Sequence, residues 1–200
     1  MSDLALRVLP DPVARLADLI RQARDLGVRN PDAMALATAD ADGAPSVRYV
    51  LLRGLDNEGL VFYTSYDSVK GAELAVNPAA SAAFYWPDLG RQARATGPVE
   101  HMPTDLSERY FSGRPRGHQL AAWASEQSNA IANEEALEER FAEVERRFEG
   151  TGVPLPPFWG GFRLRPARYE FWEERENRMH HRIQLDRMSD GGWASTILQP

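Results

Sequence analysis

Three short apolar or β-rich runs follow one another between residues 33 and 66: AMALATAD (33–40), PSVRYVLLRG (45–54) and GLVFYTSY (59–66). The separators DADGA and LDNEG carry the Gly, Asp and Asn that turns require, so this stretch predicts an antiparallel meander. The preceding segment has another period. In DPVARLADLIRQARDLG (11–27), Val13, Leu16, Ile20, Ala23 and Leu26 recur near helical spacing. Asp11 can cap that helix, Pro12 suits its first turn and Gly27 its end.

Beyond the meander, DSVKGAELAVNP (67–78) predicts a short helix capped by Asp67 or Ser68 and stopped at Asn77-Pro78. ASAAFYW and RQARATGPVEHM read as two more strands. A helical middle follows, with a short helix in PTDLSERYFSGRP and a longer one over 134–148. The longer helix sets Leu137, Phe141, Val144 and Phe148 on one stripe and pairs Glu with Arg at i,i+4 on a solvated face. After the Pro/Gly loop GTGVPLPPFWGG, the last forty residues return to strands: GFRLRPARYEFWEE, RMHHRIQLDR and, past an SDGG turn, GWASTILQP. Antiparallel strands with inserted helices predict an α+β barrel and not a doubly wound parallel sheet. The 200 residues suit one domain, with 1–10 as a flexible N-terminal arm.

Composition narrows the chemistry. The chain has no cysteine, which removes disulfides, thiolate nucleophiles and cysteine-ligated metals, and fits a reducing cytoplasm. A formal net charge of −6 argues against a general nucleic-acid binder. No apolar run is long enough to span a bilayer, and the N-terminus lacks the pattern of a secretory signal. Glycine-rich nucleotide loops, H-E-x-x-H and G-x-S-x-G are absent. The four histidines are His101, His118, His180 and His181, and the adjacent pair would point to opposite faces of a strand, so no metal site is expected.

What remains is arginine inside β-rich sequence. Arg48 and Arg53 interrupt VRYVLL, Arg114 and Arg116 lie in GRPRG, and Arg178 and Arg182 flank His180 in RENRMHHRIQLDR. If 178–182 is a strand, Arg178, His180 and Arg182 share one face. A guanidinium in buried sequence needs a partner, either a carboxylate or a ligand. With Tyr63-Thr64, Gln92, Gln127-Ser128 and Lys70, the sole lysine, these groups suggest an anion site of the kind that arginine forks make with phosphate. A salt-bridged barrel rim is the alternative account.

The ordered set VRYVLLR, VFYTSYDSVKG, LGRQARATGPVE, RYFSGRPRGHQLAAWASEQS, PLPPFWGGFRLRP, YEFW and RENRMHHRI closely resembles the pyridoxamine 5′-phosphate oxidase family, from about residue 10 to the C-terminus. The resemblance implies a split β-barrel with an N-terminal helix and a helical insertion, dimeric, with FMN at the subunit interface. It implies oxidation of pyridoxamine or pyridoxine 5′-phosphate to pyridoxal 5′-phosphate, with dioxygen as electron acceptor and hydrogen peroxide formed. Matched residue by residue, Arg48, Tyr49, Val50, Leu51, Leu52 and Arg53 would line FMN, with Tyr63, Thr64, Ser68, Lys70, Gln92, Gln127, Ser128, Trp172 and Arg182 completing its contacts. Arg53, Tyr110 and Arg114, with His118 nearby, would meet the substrate phosphate. Arg178 and His180 would be the catalytic pair closing over the pyridine ring.

Four positions depart from the family's commoner pattern: Val69 and Ile197 stand where arginine is usual, Arg53 replaces lysine, and His118 replaces a small hydroxyl residue. Phenazine-pathway FMN oxidases and non-catalytic flavin-binding proteins share this scaffold and are the rival readings, with a deazaflavin-dependent reductase third. Tyr110, Arg114, Arg178 and His180 together favour the phosphorylated substrate.

Overall fold

Strand β6 (Arg91–His101) organises the sheet, because at 11 residues it is long enough to serve two partners on one edge. The computed structural model describes residues 11–200; the arm expected over 1–10 lies outside them. The other strands are β1 (Ala33–Ala39), β2 (Pro45–Leu51), β3 (Gly54–Asp56), β4 (Gly59–Ser65), β5 (Ala79–Trp86), β7 (Trp159–Leu164), β8 (Arg168–Glu173), β9 (His181–Arg187) and β10 (Trp193–Leu198). The first part of β6 pairs with β8, and its last residues, Val99–His101, turn away to pair with β7. One path runs β10-β9-β8-β6-β5-β1-β2, and a second leaves β6 through β7 and β4 to β3. Every ladder is antiparallel. The curled sheet is split, since β2 and β4 lie side by side without forming a ladder.

The helices are α1 (Pro12–Asp25), α2 (Val69–Val76), α3 (Thr104–Ser112), α4 (Arg116–Ala124) and α5 (Glu134–Arg147). Among the described residues none is long and apolar enough to cross a membrane. The Asp11 side chain accepts from Val13 N and caps α1, as the sequence predicts. The buried stripe of α1 is Pro12, Leu16, Leu19, Ile20 and Ala23, so Leu19 joins it and Leu26, past the last turn, is exposed. This stripe covers the main core, where Met34, Leu36, Phe62, Phe84, Trp86, Leu164 and Phe171 meet inside the curl. A second, smaller core of Phe111, Leu120, Phe148, Val153 and Trp159 ties α3–α5 to β7. Helix α5 buries no residue within its own span, and its ion pair among the described residues is Arg140–Glu126 (3.2 Å), not the expected i,i+4 pairs.

Two elements escape the sequence pattern. The three-residue β3 is too short to show a period, and α4 follows α3 after only Gly113–Pro115. The strand expected over 178–182 is a larger departure. There β9 begins only at His181, and residues 176–178 form a tight turn in which Asn177 and Arg178 both take positive φ (54° and 59°). That left-handed pair breaks the period of two, so Arg178 and His180 are not on a strand face with Arg182.

Glycine controls one approach that matters for the cleft. Ser68 caps α2 by accepting from Gly71 N, and α2 sits so close to the end of β4 that a Cβ on Gly71 would collide with the Tyr66 carbonyl. Gly71→Ala is therefore expected to lower stability in urea denaturation by about 1–3 kcal/mol, the usual range for overpacking. Gly117→Ala, which meets open space, serves as the control that should not.

Candidate active site

A cavity of about 510 Å³ opens along the split, lined by residues of β2 and β4, the start of α2, the end of α3 and the loop after α4. Arg48, Tyr49, Val50, Leu51, Arg53, Tyr63, Thr64, Lys70, Tyr110, Arg114, Gln127 and Ser128 line it, so twelve of the sequence-predicted positions meet on one protomer. Val69 and Trp159 line it as well. Ser68 stands just behind, its hydroxyl bonded to Lys70. Leu52 does not join them: its side chain is buried in the main core. His118 lies exposed in the first turn of α4, outside the lining.

The alternation of β2 explains the first side chains. Its even positions turn toward the protein and its odd positions outward, which leaves Val47 and Tyr49 well exposed and places Arg48 inward. Arg48 is not free there. Its Nη2 donates to Glu73 of α2 (3.1 Å), and its guanidinium also bonds the hydroxyls of Ser46 and Thr38. Both hydroxyls in turn donate to the Glu73 carboxylate. Burial works to raise the Glu73 pKa, but the hydrogen bonds from Ser46, Thr38 and Arg48 outweigh it and hold the carboxyl below its usual range. The carboxylate fixes α2 to the sheet.

One turn away, Lys70 is 6% exposed yet among the described residues has no carboxylate in direct contact; its Nζ donates to Thr64 Oγ1 (3.0 Å) and Ser68 Oγ (3.2 Å). Burial lowers its pKa to about 8, with the Arg48 charge lowering it further and Glu73 partly offsetting. Gln127 Oε1 accepts from Thr64 Oγ1 (3.0 Å) and Ser65 N (3.3 Å), drawing the loop after α4 over the end of β4. Neighbouring Ser128 takes a left-handed φ of 77°.

Across the cavity, Arg53 pairs with Asp32 (3.1 Å), whereas Arg114 has no carboxylate partner among the described residues. The Arg114 guanidinium lies over the Trp159 ring (4.7 Å to the centroid), and its buried Nη1 makes no hydrogen bond among the described residues. Burial depresses its pKa, with Tyr110 opposing and Arg53 adding to the effect. Tyr63 and Tyr110 stack face to face (3.7 Å, 8°), and Trp159 is parallel to both. The motif FWGG makes this approach possible: a Cβ on Gly160 would strike the Tyr66 hydroxyl, and one on Gly161 would press into Tyr63 and Met102.

The remaining predicted residues form a second group on β6, β8, β9 and the turn that precedes β9, apart from that cavity. Gln92 is paired in register with Trp172, and Trp172 with Arg182. The His180 ring packs on Trp172 (4.6 Å), and its Nδ1 accepts from Arg175 N (3.3 Å). Arg182 donates to Glu170 (2.9 Å), which Arg94 also contacts. Arg178 makes no salt bridge among the described residues and is exposed. The sequence reading missed Trp159 and the carboxylates Asp32, Glu73 and Glu170. Only the unusual burial of an acidic residue between apolar neighbours, as in YEFW, could have flagged one of them. Among the described residues no three His, Asp or Glu side chains converge as a metal site.

A split antiparallel barrel with a cationic cleft floored by parallel aromatic rings is the class that fold and site define. Residues 19–148 match the family model described as pyridoxamine 5′-phosphate oxidase, and residues 159–200 match the pyridoxine 5′-phosphate oxidase C-terminal dimerisation region. The chain belongs to the pyridoxamine 5′-phosphate oxidase family, a family of oxidoreductases. It is 49% identical over 191 residues to the pyridoxine/pyridoxamine 5′-phosphate oxidase of Rubrobacter xylanophilus, covering 96% of this chain and 88% of that one. It is 46% identical to the enzyme so named from Myxococcus xanthus, over 96% of this chain and 92% of that one. Among solved structures, PhzG from Burkholderia lata, in complex with tetrahydrophenazine-1-carboxylic acid, superposes with a TM-score of 0.89 at 33% identity, covering 95% of this chain and 93% of that one. A pyridoxamine 5′-phosphate oxidase-related FMN-binding protein from Nostoc punctiforme shares the fold, with a TM-score of 0.76 at 19% identity and full coverage of both chains.

The buried ammonium has a measurable signature. In the ligand-free protein, Lys70→Met is expected to be more stable than wild type in urea at pH 7, where wild type buries a charge. Between about pH 8 and 10.5 the folded wild type has shed that proton while its unfolded chain still binds one, so wild-type stability rises with pH and the gap narrows. A gap unchanged from pH 7 to well above pH 8 would contradict burial as the cause.

Proposed function

We propose that the protein oxidises pyridoxamine and pyridoxine 5′-phosphate to pyridoxal 5′-phosphate, with FMN as resident cofactor, dioxygen as final acceptor and hydrogen peroxide as by-product. The observation that carries this reading is the pair of unneutralised cations in one cleft. Lys70 is buried and Arg114 half-buried, and among the described residues neither has a carboxylate in contact, while Arg114 lies over the Trp159 ring. A pocket built for internal salt bridges would pair them; a pocket for two aromatic phosphate esters leaves them open.

The residues present fit FMN. Lys70, Ser68 and Arg48 would hold its phosphate, helped by the amide end of α2. Tyr63, Thr64, Gln127 and Ser128 would follow its length. Gln92, Trp172 and Arg182 belong to the second group and would reach it from a partner copy, which the C-terminal dimerisation match supports. Bound FMN supplies a two-electron acceptor for the hydride that leaves the C4′ carbon of the substrate.

The protein's contribution is placement. Arg53, Arg114 and the Tyr110 hydroxyl would anchor the substrate phosphate, and anchoring of this kind removes rotational freedom before the chemical step. Arg178 and His180 would close on the ring from the partner. The contact from Arg175 N makes His180 Nδ1 an acceptor, so the neutral ring keeps its proton on Nε2 and can donate from that atom. The similarity to PhzG leaves a non-phosphorylated aromatic acid as the rival substrate class.

Purified protein should be yellow with bound FMN and should release peroxide from pyridoxamine 5′-phosphate but not from unphosphorylated pyridoxamine. Colourless protein that FMN cannot reconstitute would remove the proposal, and equal rates with and without the phosphate would remove the substrate assignment. Arg178→Ala should lose turnover at least tenfold more than flavin content, on the order expected for a positioned catalytic group. Lys70→Ala and Arg182→Ala should instead purify with less than half the wild-type flavin. Equal loss of both quantities in every variant would contradict this division of labour.

A further inference from the structure

We infer that Trp159 is a positioning residue for the substrate phosphate: its indole face holds Arg114 in place of a counter-ion and so keeps that guanidinium's donors available to an incoming anion. The inference rests on the reading of the cleft given above and adds to it the reason that one arginine there differs from the rest.

Four arginines of the two groups show the contrast. Arg48 is fixed by Glu73, Arg53 by Asp32, and Arg94 and Arg182 by Glu170. Each of those guanidiniums already spends donors on a carboxylate. Arg114 alone among the cleft arginines is oriented by aromatic faces, with its carbon 4.7 Å from the Trp159 centroid and 5.6 Å from that of Phe111. A cation over an aromatic face is attracted through the ring and needs no N–H donor for it. Consistent with this, its Nη1 is buried with no acceptor among the described residues, a costly arrangement in a protein unless something else supplies the acceptor.

The ring itself is held rigidly. Phe111 meets it edge-on (5.3 Å, 66°), Tyr63 and Tyr110 lie parallel to it, and Gly160-Gly161 remove the Cβ atoms that would push β7 away. Trp159 therefore acts on the phosphate through Arg114, the group placed to touch it. Loss of the indole should leave the guanidinium charge present but unaimed. A phosphate dianion, which matches the arginine fork at two points, is the ligand chemistry most sensitive to that loss.

The test uses the flavin-loaded protein and two readouts, the steady-state oxidation of pyridoxine 5′-phosphate and the calorimetric binding of pyridoxal 5′-phosphate. Trp159→Phe keeps an aromatic face and should stay within about threefold of wild type in both. Trp159→Leu should raise KM and the dissociation constant roughly tenfold while kcat and flavin content change less than threefold. Trp159→Met, closer in length, takes its place if the leucine variant does not accumulate. Arg114→Ala should weaken binding more, and adding Trp159→Leu to it should cause no further loss, because the indole acts through the guanidinium. Additive losses, or a leucine variant that binds the ester like wild type, would overturn the inference and leave the functional proposal standing. A wild-type protein that neither oxidises nor binds either ester would overturn both.

Discussion

Burying a guanidinium or an ammonium is the constraint around which this molecule is arranged. Charge removed from water is costly unless a partner restores it, and a net acidic chain has carboxylates to spare. Most of the inward arginines take one. Glu73 gathers Arg48 with two hydroxyls, and Glu170 bridges Arg94 and Arg182. These pairs fix helix to sheet or strand to strand. Against that background Lys70 and Arg114 stand out, since among the described residues neither has a carboxylate in contact and both line the same opening in the barrel.

The fold was largely legible because its elements follow local rules. The turns of the meander, the Asp11 and Ser68 caps and the β-rich runs all report on their own neighbourhoods, and the helices and strands form where those signals lie. The site was legible only in part. Arginines and the lone lysine could be picked out as chemically unusual, but the carboxylates of Arg53 and Arg48 lie 21 and 25 residues away and carry no mark in the sequence. Asp32 sits in an ordinary turn and Glu73 in an ordinary helix. Trp159 resembles any core aromatic until the ring beneath Arg114 is seen.

The segment from 175 to 182 shows the opposite failure. Its alternation of Arg, Met and His imitates a strand, yet Asn177 and Arg178 adopt left-handed backbone and the strand starts three residues after Arg178. Period-two reasoning assumes extended φ and ψ at each residue, and a side chain such as Asn that tolerates the left-handed region can cancel it without altering the polar pattern. The His180 ring is consequently placed by Trp172 and the Arg175 amide, not by a pleat. Placement by a turn leaves Arg178 out in solvent, where it can approach a second body.

The Glu73 hub also bears on how the chain reaches its final state. Its carboxylate is met by Thr38, Ser46 and Arg48, which belong to the hairpin of β1 and β2, while the acceptor rides on a helix formed later in the sequence. Helix α2 can wind from local signals within microseconds, but its docking must wait for that hairpin to close. A nascent or refolding chain consequently acquires secondary structure well before it can capture an anion. Spectroscopic recovery of helix should run ahead of recovery of the cleft.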